Sequence, residues 1–579
     1  MGPRQGPETM NTRSRALRKS MGSFYTPSHL AEQIAEEVLN LWLLQHVDRT
    51  RSESSVLSTA LGPLRRETID LLRNIRVLDP AVGDGAFLLS TANWLENTLV
   101  SLGDTRSQTD MKQEIVSENL YGVDIDGTAV NACRRNLADW AGPPNASMEG
   151  MNIVHGNSLV NFDWDHQFDV VLGNPPYGNI LTEQERAYIV EHYPTSVGGG
   201  RSGTWNSAAH FIVRSSMFLH LQGMLGFLVP NSILRVGQFK RTREFILQKL
   251  GLVKIVDEGS PFDDVTLEMV TLICRASPAG IEPEVIVESR RQNRTLHNRV
   301  NRDILASGRL FPIYHDAIHA ELLRRGKRTM LRASRGRDIP KDHISRTQTD
   351  RFRTPFITSG RSVKRFRIDE RYLLYADDWY MQDSGLLESC ETEILVATKN
   401  YRFPRCVVKP KGVIHGGGIV RIEIRDENIN MRAVGLILNS RLMQHVCTRY
   451  LTNYSQLTTC LNTGIMEDIP IAVPKDQETF ASLFGILKRI HSAGGPRREQ
   501  ELFETLGNAL VYELYFGNGQ LEESLMRNGL IVGANNDLTS VARTLESRDI
   551  RQMIDNVYAL PQVAEIESRL MADMETGLS

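Results

Sequence analysis

The first 280 residues alternate between short apolar runs and longer segments with helical periodicity. Apolar runs lie at 75–82, 119–126, 151–158, 168–176 and 223–231, and a helical pattern such as the one from about 87 to 100 follows the first of them. Apolar strands separated by helices are typical of a mostly parallel sheet that is covered on both faces. Ligands bind beyond the carboxyl ends of the strands in such sheets, so we expect functional residues there.

The length and composition of the chain predict more than one domain. The chain has 579 residues, of which 41% are hydrophobic, enough for two or three domains with cores of their own. We predict a basic, flexible N-terminus over 1–21, an α/β domain over 22–285, a basic α+β domain over 286–475 and a helical region over 476–579.

The sequence lacks the features of a secreted, membrane or zinc-binding protein. The polar, basic start is not a secretory signal, and no apolar run reaches the length of a membrane span. The six cysteines are scattered, without a C-x-x-C pair. We therefore expect a cytoplasmic protein with reduced thiols, no membrane partner and no metal site.

Charge is distributed unevenly along the chain. From Arg290 to Arg367 there are 21 Lys and Arg against 6 Asp and Glu, so the rest of the chain carries the compensating negative charge. Aromatic residues are interleaved with these arginines, namely Phe311, Tyr314, Phe352, Phe356 and Phe366. This pattern favours a module that binds a polyanion, although a solvated charged face would give the same count.

The end of the first strand reads LDPAVGDGAFL, residues 78–88. Gly83 and Gly85 allow a tight turn and close approach of the backbone to a ligand. Leu88 replaces the third glycine of a dinucleotide fingerprint, and no lysine is present for a phosphate. Asp79 and Asp84 instead favour a ligand with positive charge, such as S-adenosyl-L-methionine with its sulfonium and ammonium groups. Simple packing of a strand against a helix is the alternative.

The end of the second strand reads YGVDID and places Asp124 where a carboxylate can accept hydrogen bonds from both hydroxyls of a ribose. Asp126 has the position of a helix N-cap. Because this carboxylate and the glycine turn follow successive strands, we expect them to form one cofactor site.

The stretch VVLGNPPYGNI, residues 170–180, ends a further strand abruptly. Pro175 and Pro176 cannot donate backbone hydrogen bonds and fix the backbone where it leaves the strand. Asn174 and Tyr177 flank them, so an amide, backbone carbonyls and an aromatic ring are held together at a strand end.

Four motifs in this order carry a resemblance to a known family. Phe24-Tyr25-Thr26-Pro27, LDPAVGDGAFL, YGVDID and Asn174-Pro-Pro-Tyr resemble the motifs of the gamma class (TaqI type) of DNA adenine-N6 methyltransferases. The resemblance is close over 22–276 and looser beyond, where 435–442 and 467–474 look like parts of target-recognition domains. It implies a class I methyltransferase (Rossmann-like) mixed sheet with helices on both faces, followed by an α+β target-recognition domain with a helical end.

The resemblance also implies roles for single residues. The Asn174 side chain and the Pro175 carbonyl would accept the two hydrogens of an adenine N6 amine, while Tyr177 and Phe262 would stack on the two faces of the flipped base. The cofactor S-adenosyl-L-methionine would be bound by Thr26 at its methionine end and by Asp79, Ala81, Gly83, Gly85, Asp124, Ile125, Asn157 and Phe211. The family usually has an aspartate where this chain has Asn157.

The implied function is sequence-specific methylation of adenine N6 in double-stranded DNA, within a restriction-modification or phage-defence system of a prokaryotic cell. The protein would act as a monomer on DNA, and a separate restriction endonuclease would act on the same site. We select Arg324, Arg325 and Arg328 as DNA contacts because they cluster in the sequence. Methylation of cytosine N4, of RNA or of a protein glutamine stays open, as does a DNA-binding protein with an inactive methyltransferase domain.

Overall fold

The computed structural model of the chain describes residues 26–53, 61–142, 150–160, 162–197, 205–262, 266–291, 296–306, 309–457, 461–494, 496–527, 529 and 538–575. The predicted N-terminal segment 1–21, and Phe24 and Tyr25 of the first motif, lie outside these residues. The chain divides into two compact units, Met1–Phe311 and Pro312–Ser579.

The described part of the first unit contains a nine-stranded sheet in the order β3-β2-β1-β4-β5-β7-β6-β8-β9. Strands β1 to β5 run parallel to one another, whereas β7 pairs antiparallel with β5 and β6. The strands are β1 (Val77–Asp79), β2 (Leu120–Asp124), β3 (Asn152–His155), β4 (Phe168–Gly173), β5 (Leu219–Pro230), β6 (Gly251–Gly259), β7 (Met269–Arg275), β8 (Glu284–Ser289) and β9 (Leu296–Asn301).

Helices accompany this sheet throughout the first unit. They are α1 (Ser28–Glu53), α2 (Leu61–Asn74), α3 (Ala86–Ser101), α4 (Gln108–Glu114), α5 (Gly127–Ala141), α6 (Glu183–His192), α7 (Ser207–Phe218), α8 (Lys240–Gln248) and α9 (Arg302–Ala306). Helices α1, α3 and α5 bury their apolar residues together with those of the central strands in one large core. The central strands β1, β2 and β4 are buried apart from the partly exposed Asp124 and Asp169, and their residues do not alternate between apolar and polar, as the sequence pattern indicated.

Two sequence predictions differ from the structure in this unit. The helical pattern around 206–221 ends at Phe218, and Leu219 already begins β5, because an apolar helix end and a buried strand share the same composition. The predicted domain boundary at 285/286 falls inside β8, which pairs with β6 and β9, so the first unit continues to Phe311.

The second unit has two four-stranded sheets among its described residues, ordered β10-β17-β14-β15 and β11-β13-β12-β16. Their strands are β10 (Leu331–Arg335), β11 (Ile344–Ser345), β12 (Phe352–Ile357), β13 (Leu374–Asp377), β14 (Ile394–Thr398), β15 (Cys406–Lys409), β16 (Ile414–His415) and β17 (Ile419–Ile424).

The helices of the second unit are concentrated in its C-terminal part, as the sequence pattern indicated. They are α10 (Ala317–Arg325), α11 (Asp378–Asp383), α12 (Leu387–Cys390), α13 (Met431–Leu438), α14 (Arg441–His445), α15 (Thr463–Glu467), α16 (Gln477–Ala493), α17 (Arg497–Phe516), α18 (Gln520–Arg527), α19 (Leu538–Leu545), α20 (Arg548–Tyr558) and α21 (Pro561–Glu575). Helix α16 packs on α13, and its Phe484 meets the ring of Phe366 at a centroid distance of 5.5 Å.

Candidate functional site

The glycine turn after β1 is tied to the end of β2. Gly83 and Gly85 both have positive φ, and a Cβ at Gly85 would lie 2.7 Å from Cys133 Sγ on α5. The Gly83 N–H donates to Asp124 Oδ2 at 2.9 Å, and the Val82 N–H donates to the Val123 carbonyl at 2.9 Å. The two strand ends predicted to form one site are therefore bonded to each other.

Asp124 lies at the centre of this arrangement. Its second oxygen, Oδ1, accepts from the Asp126 N–H at 2.9 Å, and burial raises the pKa of its carboxyl. Asp126 caps α5 by accepting from Thr128 N–H at 2.8 Å, which confirms the predicted N-cap. Ile125 between them is 60% exposed, so an apolar side chain is presented beside the carboxylate.

Asp79 is a buried carboxylate at the end of β1. Burial raises its pKa to about 8, and the charges of Asp124 and Asp84 add to the shift. Its Oδ1 accepts from the Ala81 N–H at 3.0 Å, and a Cβ at Gly173 would come within 2.6 Å of the same oxygen. A cationic group beside these carboxylates would relieve their repulsion, so the donor set fits S-adenosyl-L-methionine.

The Asn-Pro-Pro-Tyr segment leaves β4 next to β1 and is held by residues far away in the sequence. Asn174 Nδ2 donates to Thr26 Oγ1 at 3.1 Å, so the first and last of the predicted motifs meet. Ser207, which begins α7, donates its hydroxyl to the Pro176 carbonyl at 2.5 Å and its N–H to the Gly178 carbonyl at 3.1 Å. Ser207 is fully buried and was not singled out from the sequence.

Asn157 has a partner that the sequence analysis missed. Its Nδ2 donates to Glu185 Oε1 at 2.7 Å, while its Oδ1 accepts from the Leu159 N–H at 3.1 Å. Glu185 also forms a capping box with Thr182 at the start of α6. The spacing T-x-x-E at 182–185 is the signature of such a box and could have predicted the position of this carboxylate.

The three aromatic residues assigned by resemblance are described in the structure. Tyr177 and Phe262 are half-buried, and both pack against the large core of the first unit. Burial raises the pKa of the Tyr177 hydroxyl. Phe211 on α7 is 5% exposed. Their roles toward a base or a cofactor remain predictions.

The basic stretch is partly neutralised inside the protein. Arg290 pairs with Glu258 and Glu37, and Arg291 pairs with Asp257 and Glu268, all within the first unit. The first two arginines of the stretch therefore do not belong to a separate basic domain.

The aromatic residues of the stretch are mostly core residues. Phe311, Tyr314, Phe356 and Phe366 are each at most 2% exposed, which contradicts their interpretation as stacking residues for a polyanion. An aromatic residue between arginines in the sequence is typical both of a residue that stacks on a nucleic acid and of a core residue. The burial of these four side chains shows that they are core residues.

Two of the arginines selected as DNA contacts pair with a carboxylate of the protein. Arg324 and Arg325 share the carboxylate of Glu321, at 2.5 and 3.1 Å. Both remain partly exposed, with side-chain accessibilities of 62% and 37%, whereas Arg328 is half-buried.

Within the described ranges, no group of three or more His, Cys, Asp or Glu side chains is placed to hold a metal ion. A search of the same ranges finds no helix with the length and apolar character that crossing a membrane requires. The cysteines at 133, 274, 390, 406 and 447 are free and buried, and Cys460 lies outside the described residues.

Comparisons with known sequences give the family resemblance of the first unit. Residues 118–262, which include Asp124 and the Asn-Pro-Pro-Tyr segment, match the family described as Eco57I restriction-modification methylase. The type II restriction enzyme and methyltransferase RM.Eco57I of Escherichia coli is 26% identical over 241 residues, which cover 34% of this chain and 24% of that protein. The type II methyltransferase M.VspI of Vibrio sp. is 23% identical over 197 residues, covering 34% of this chain and 41% of that protein. The chain thus matches less than half of the length of these relatives.

A solved structure resembles the fold over most of the chain. The type IIL restriction-modification enzyme MmeI in complex with DNA has a TM-score of 0.56 at 13% identity, covering 94% of this chain and 80% of that one. This likeness concerns the fold alone, and it confirms the predicted class I methyltransferase type of mixed α/β fold with a helical C-terminal region. Methyltransferases of the restriction-modification type use S-adenosyl-L-methionine, which confirms the predicted cofactor.

Proposed function

We propose that this protein transfers a methyl group from S-adenosyl-L-methionine to the N6 amine of an adenine flipped out of double-stranded DNA. The observation that carries the proposal is the meeting of three motifs at adjacent strand ends. Asn174 follows β4, Asp79 ends β1 and Asp124 ends β2, and these strands are neighbours in the order β2-β1-β4.

Asn174 would act on the nucleophile. The lone pair of the N6 amine is delocalised into the purine ring, so the amine attacks poorly unless its two hydrogens are accepted by fixed groups. The Asn174 carboxamide directs its Nδ2 at Thr26, an orientation in which its oxygen serves as one acceptor. The Pro175 carbonyl would be the second acceptor. Preorganised acceptors of this kind lower the barrier because they need no rearrangement as charge develops.

The rigidity of these acceptors follows from the packing of their segment. Pro175 is buried, and the carbonyls of Pro176 and Gly178 accept from the buried Ser207. We therefore assign Ser207 to holding the segment and not to the reaction itself.

The cofactor would lie across the ends of β1 and β2. S-adenosyl-L-methionine supplies an electrophilic methyl group on a sulfonium sulfur. Asp124 would accept from the ribose hydroxyls, Ile125 would cover one face of the adenine ring, and the Asp79 carboxylate would face positive charge. Asn157 can accept from the adenine amino group through its amide oxygen, without the charge of an aspartate.

Flipping of the target base is required because a duplex hides the N6 amine. Tyr177 and Phe262 would stack on the two faces of the extruded adenine, and the second unit would read the DNA sequence. We further propose that the protein is the modification part of a restriction-modification or phage-defence system, acting as a monomer beside a separate endonuclease.

A methyl-transfer assay with several substrates tests this proposal. Purified protein and tritiated S-adenosyl-L-methionine are incubated in parallel with duplex DNA, RNA and a protein extract. We expect label in duplex DNA. Label only in RNA or in protein would contradict the proposal, and absence of label with retained DNA binding would indicate an inactive methyltransferase domain.

A further inference from the structure

We propose that Arg291 is a positioning residue for the target base, because it joins the two ends of the segment that carries Phe262. This inference rests on the proposed function. The segment is the β6–β7 connection, residues 260–268, of which 263–265 lie outside the described residues. Asp257 lies near the end of β6 and Glu268 directly precedes β7.

The Arg291 guanidinium bridges these two carboxylates. Its Nε donates to Asp257 Oδ2 at 2.6 Å, and its Nη1 donates to Glu268 Oε1 at 2.9 Å. One planar group thus contacts both stems of the β6–β7 connection. A lysine has a single ammonium on a flexible stem and does not reproduce this fixed fork.

Further bonds fix the backbone on each side of the bridge. On the β6 side, Asp257 Oδ1 accepts from the Gly259 N–H at 3.1 Å, and the strand register shifts between these two residues as in a β-bulge. On the β7 side, the Glu268 carbonyl accepts from the Asn231 N–H at 2.8 Å. Bulges of this kind re-aim the chain where it leaves a sheet.

The bridge is shielded from water. The exposed fractions of the side chains are 9% for Arg291, 0% for Asp257 and 3% for Glu268. The buried Arg235 lies nearby, with its Nη2 at 3.8 Å from Glu268 Oε2. Burial of charges carries a desolvation penalty that only well-placed partners offset, so each charge of the bridge depends on its partners.

A function in positioning follows from where the bridge lies. Phe262 is the third residue after β6 ends at Gly259, and it packs against the core of the first unit. If its ring stacks on the flipped base, its position must be defined closely, and the bridge fixes both ends of the connection from which it projects. Weakening the bridge should therefore impair the flipped state without changing the cofactor site.

Arg291→Lys tests the inference, and Arg290→Lys is the matched control. Arg290 and Arg291 both follow β8. Arg290 pairs with the buried Glu258 on β6 and with the partly exposed Glu37 on α1, so it contacts the β6 stem alone and does not bridge the two stems. Methyl transfer is measured on a duplex that contains the site mapped for the wild type, and on the same duplex with the target adenine mismatched. A mismatch lowers the cost of extruding the base. Fluorescence of 2-aminopurine at the target position reports flipping, and thermal unfolding reports the fold.

For Arg291→Lys we expect the turnover number on the matched duplex to fall about 100-fold, since misplacement of a positioning element by about 1 Å has this effect. The 2-aminopurine signal should fall with it, S-adenosyl-L-methionine affinity should not change, and the mismatched duplex should restore most of the lost rate. Arg290→Lys should keep the wild-type rate on both duplexes.

An unchanged rate for Arg291→Lys, an equal loss on both duplexes, or the same loss for Arg290→Lys would overturn the inference while leaving the proposed function intact. If Arg291→Lys fails to fold, Glu268→Gln replaces it, because the amide oxygen still accepts a hydrogen bond without the charge, and the same rescue by the mismatch is expected. A folded wild type that transfers no methyl group to duplex DNA would overturn the proposed function and this inference with it.

Discussion

The buried carboxyl of Asp79 makes the stability of the ligand-free protein depend on pH. Its pKa is raised from 3.8 to about 8 because the group is buried and faces the charges of Asp124 and Asp84. The folded state therefore keeps this proton over a range in which the unfolded chain has lost it. The contribution of Asp79 to the free energy of unfolding should then fall as pH rises from about 4 to about 8.

Each unit of pKa difference corresponds to about 1.4 kcal/mol, so the ceiling for a shift of this size is about 6 kcal/mol. Asp79→Asn is neutral at every pH and still offers an oxygen to the Ala81 N–H. We expect the variant to gain stability relative to the wild type progressively between pH 5 and pH 8, with little gain near pH 4. Bound S-adenosyl-L-methionine should lower the pKa of Asp79, so its stabilising effect on the wild type should grow with pH and that on the variant should not.

Urea unfolding at several pH values, with and without S-adenosyl-L-methionine, measures both effects. Asp139→Asn is the control, since Asp139 is an exposed residue of α5 and its replacement should leave the pH profile unchanged. If wild type and Asp79→Asn had parallel pH profiles, Asp79 would not be the carboxyl that couples protonation to the cofactor site.

Three further substitutions test other parts of the account. Asp124→Ala should weaken S-adenosyl-L-methionine binding by about 1–3 kcal/mol, because both ribose hydroxyls lose their acceptor. Equal affinity of variant and wild type in calorimetry would show that Asp124 is not the carboxylate that binds the ribose. Thr26→Val should lower turnover about 10-fold without weakening DNA binding, since one neutral hydrogen bond to the amide is lost; unchanged turnover would remove Thr26 from the orientation of the amide. Replacing Arg324, Arg325 and Arg328 by Ala should flatten the slope of log K against log salt by at most about 1.8, because Glu321 neutralises one of the three charges and each phosphate contributes about 0.9. Cofactor affinity should stay constant, and an unaltered slope would show that these arginines do not reach the DNA backbone.

The strand-end residues could be predicted from the sequence because local chemistry marks them. Buried parallel strands are apolar throughout, and the glycine turn, the acidic strand end and the two prolines each interrupt that pattern within a few residues. The fold class and the meeting of these residues at one edge follow from this pattern and from the rule for ligand sites in such sheets.

The partners of these residues could not be predicted in the same way, because they are distant in the sequence. Thr26 and Asn174 are separated by 148 positions, and nothing in either motif indicates a hydrogen bond between them. The excess of Lys and Arg from Arg290 to Arg367 gave a partly wrong prediction for the same reason. Arg290 and Arg291 belong to a basic stretch by composition, but the sheet places acidic residues from β6 and α1 beside them. Local charge excess does not reveal long-range ion pairs.

The most direct test identifies the methylated base itself. Duplex DNA is incubated with the protein and S-adenosyl-L-methionine carrying a deuterated methyl group, digested to nucleosides and analysed by mass spectrometry, with Asn174→Ala in parallel. We predict labelled N6-methyladenine for the wild type, and almost none for Asn174→Ala despite normal binding of cofactor and DNA, because the lost acceptor matters most as the amine changes geometry. Labelled N4-methylcytosine, or labelled N6-methyladenine at an undiminished rate from Asn174→Ala, would contradict the account.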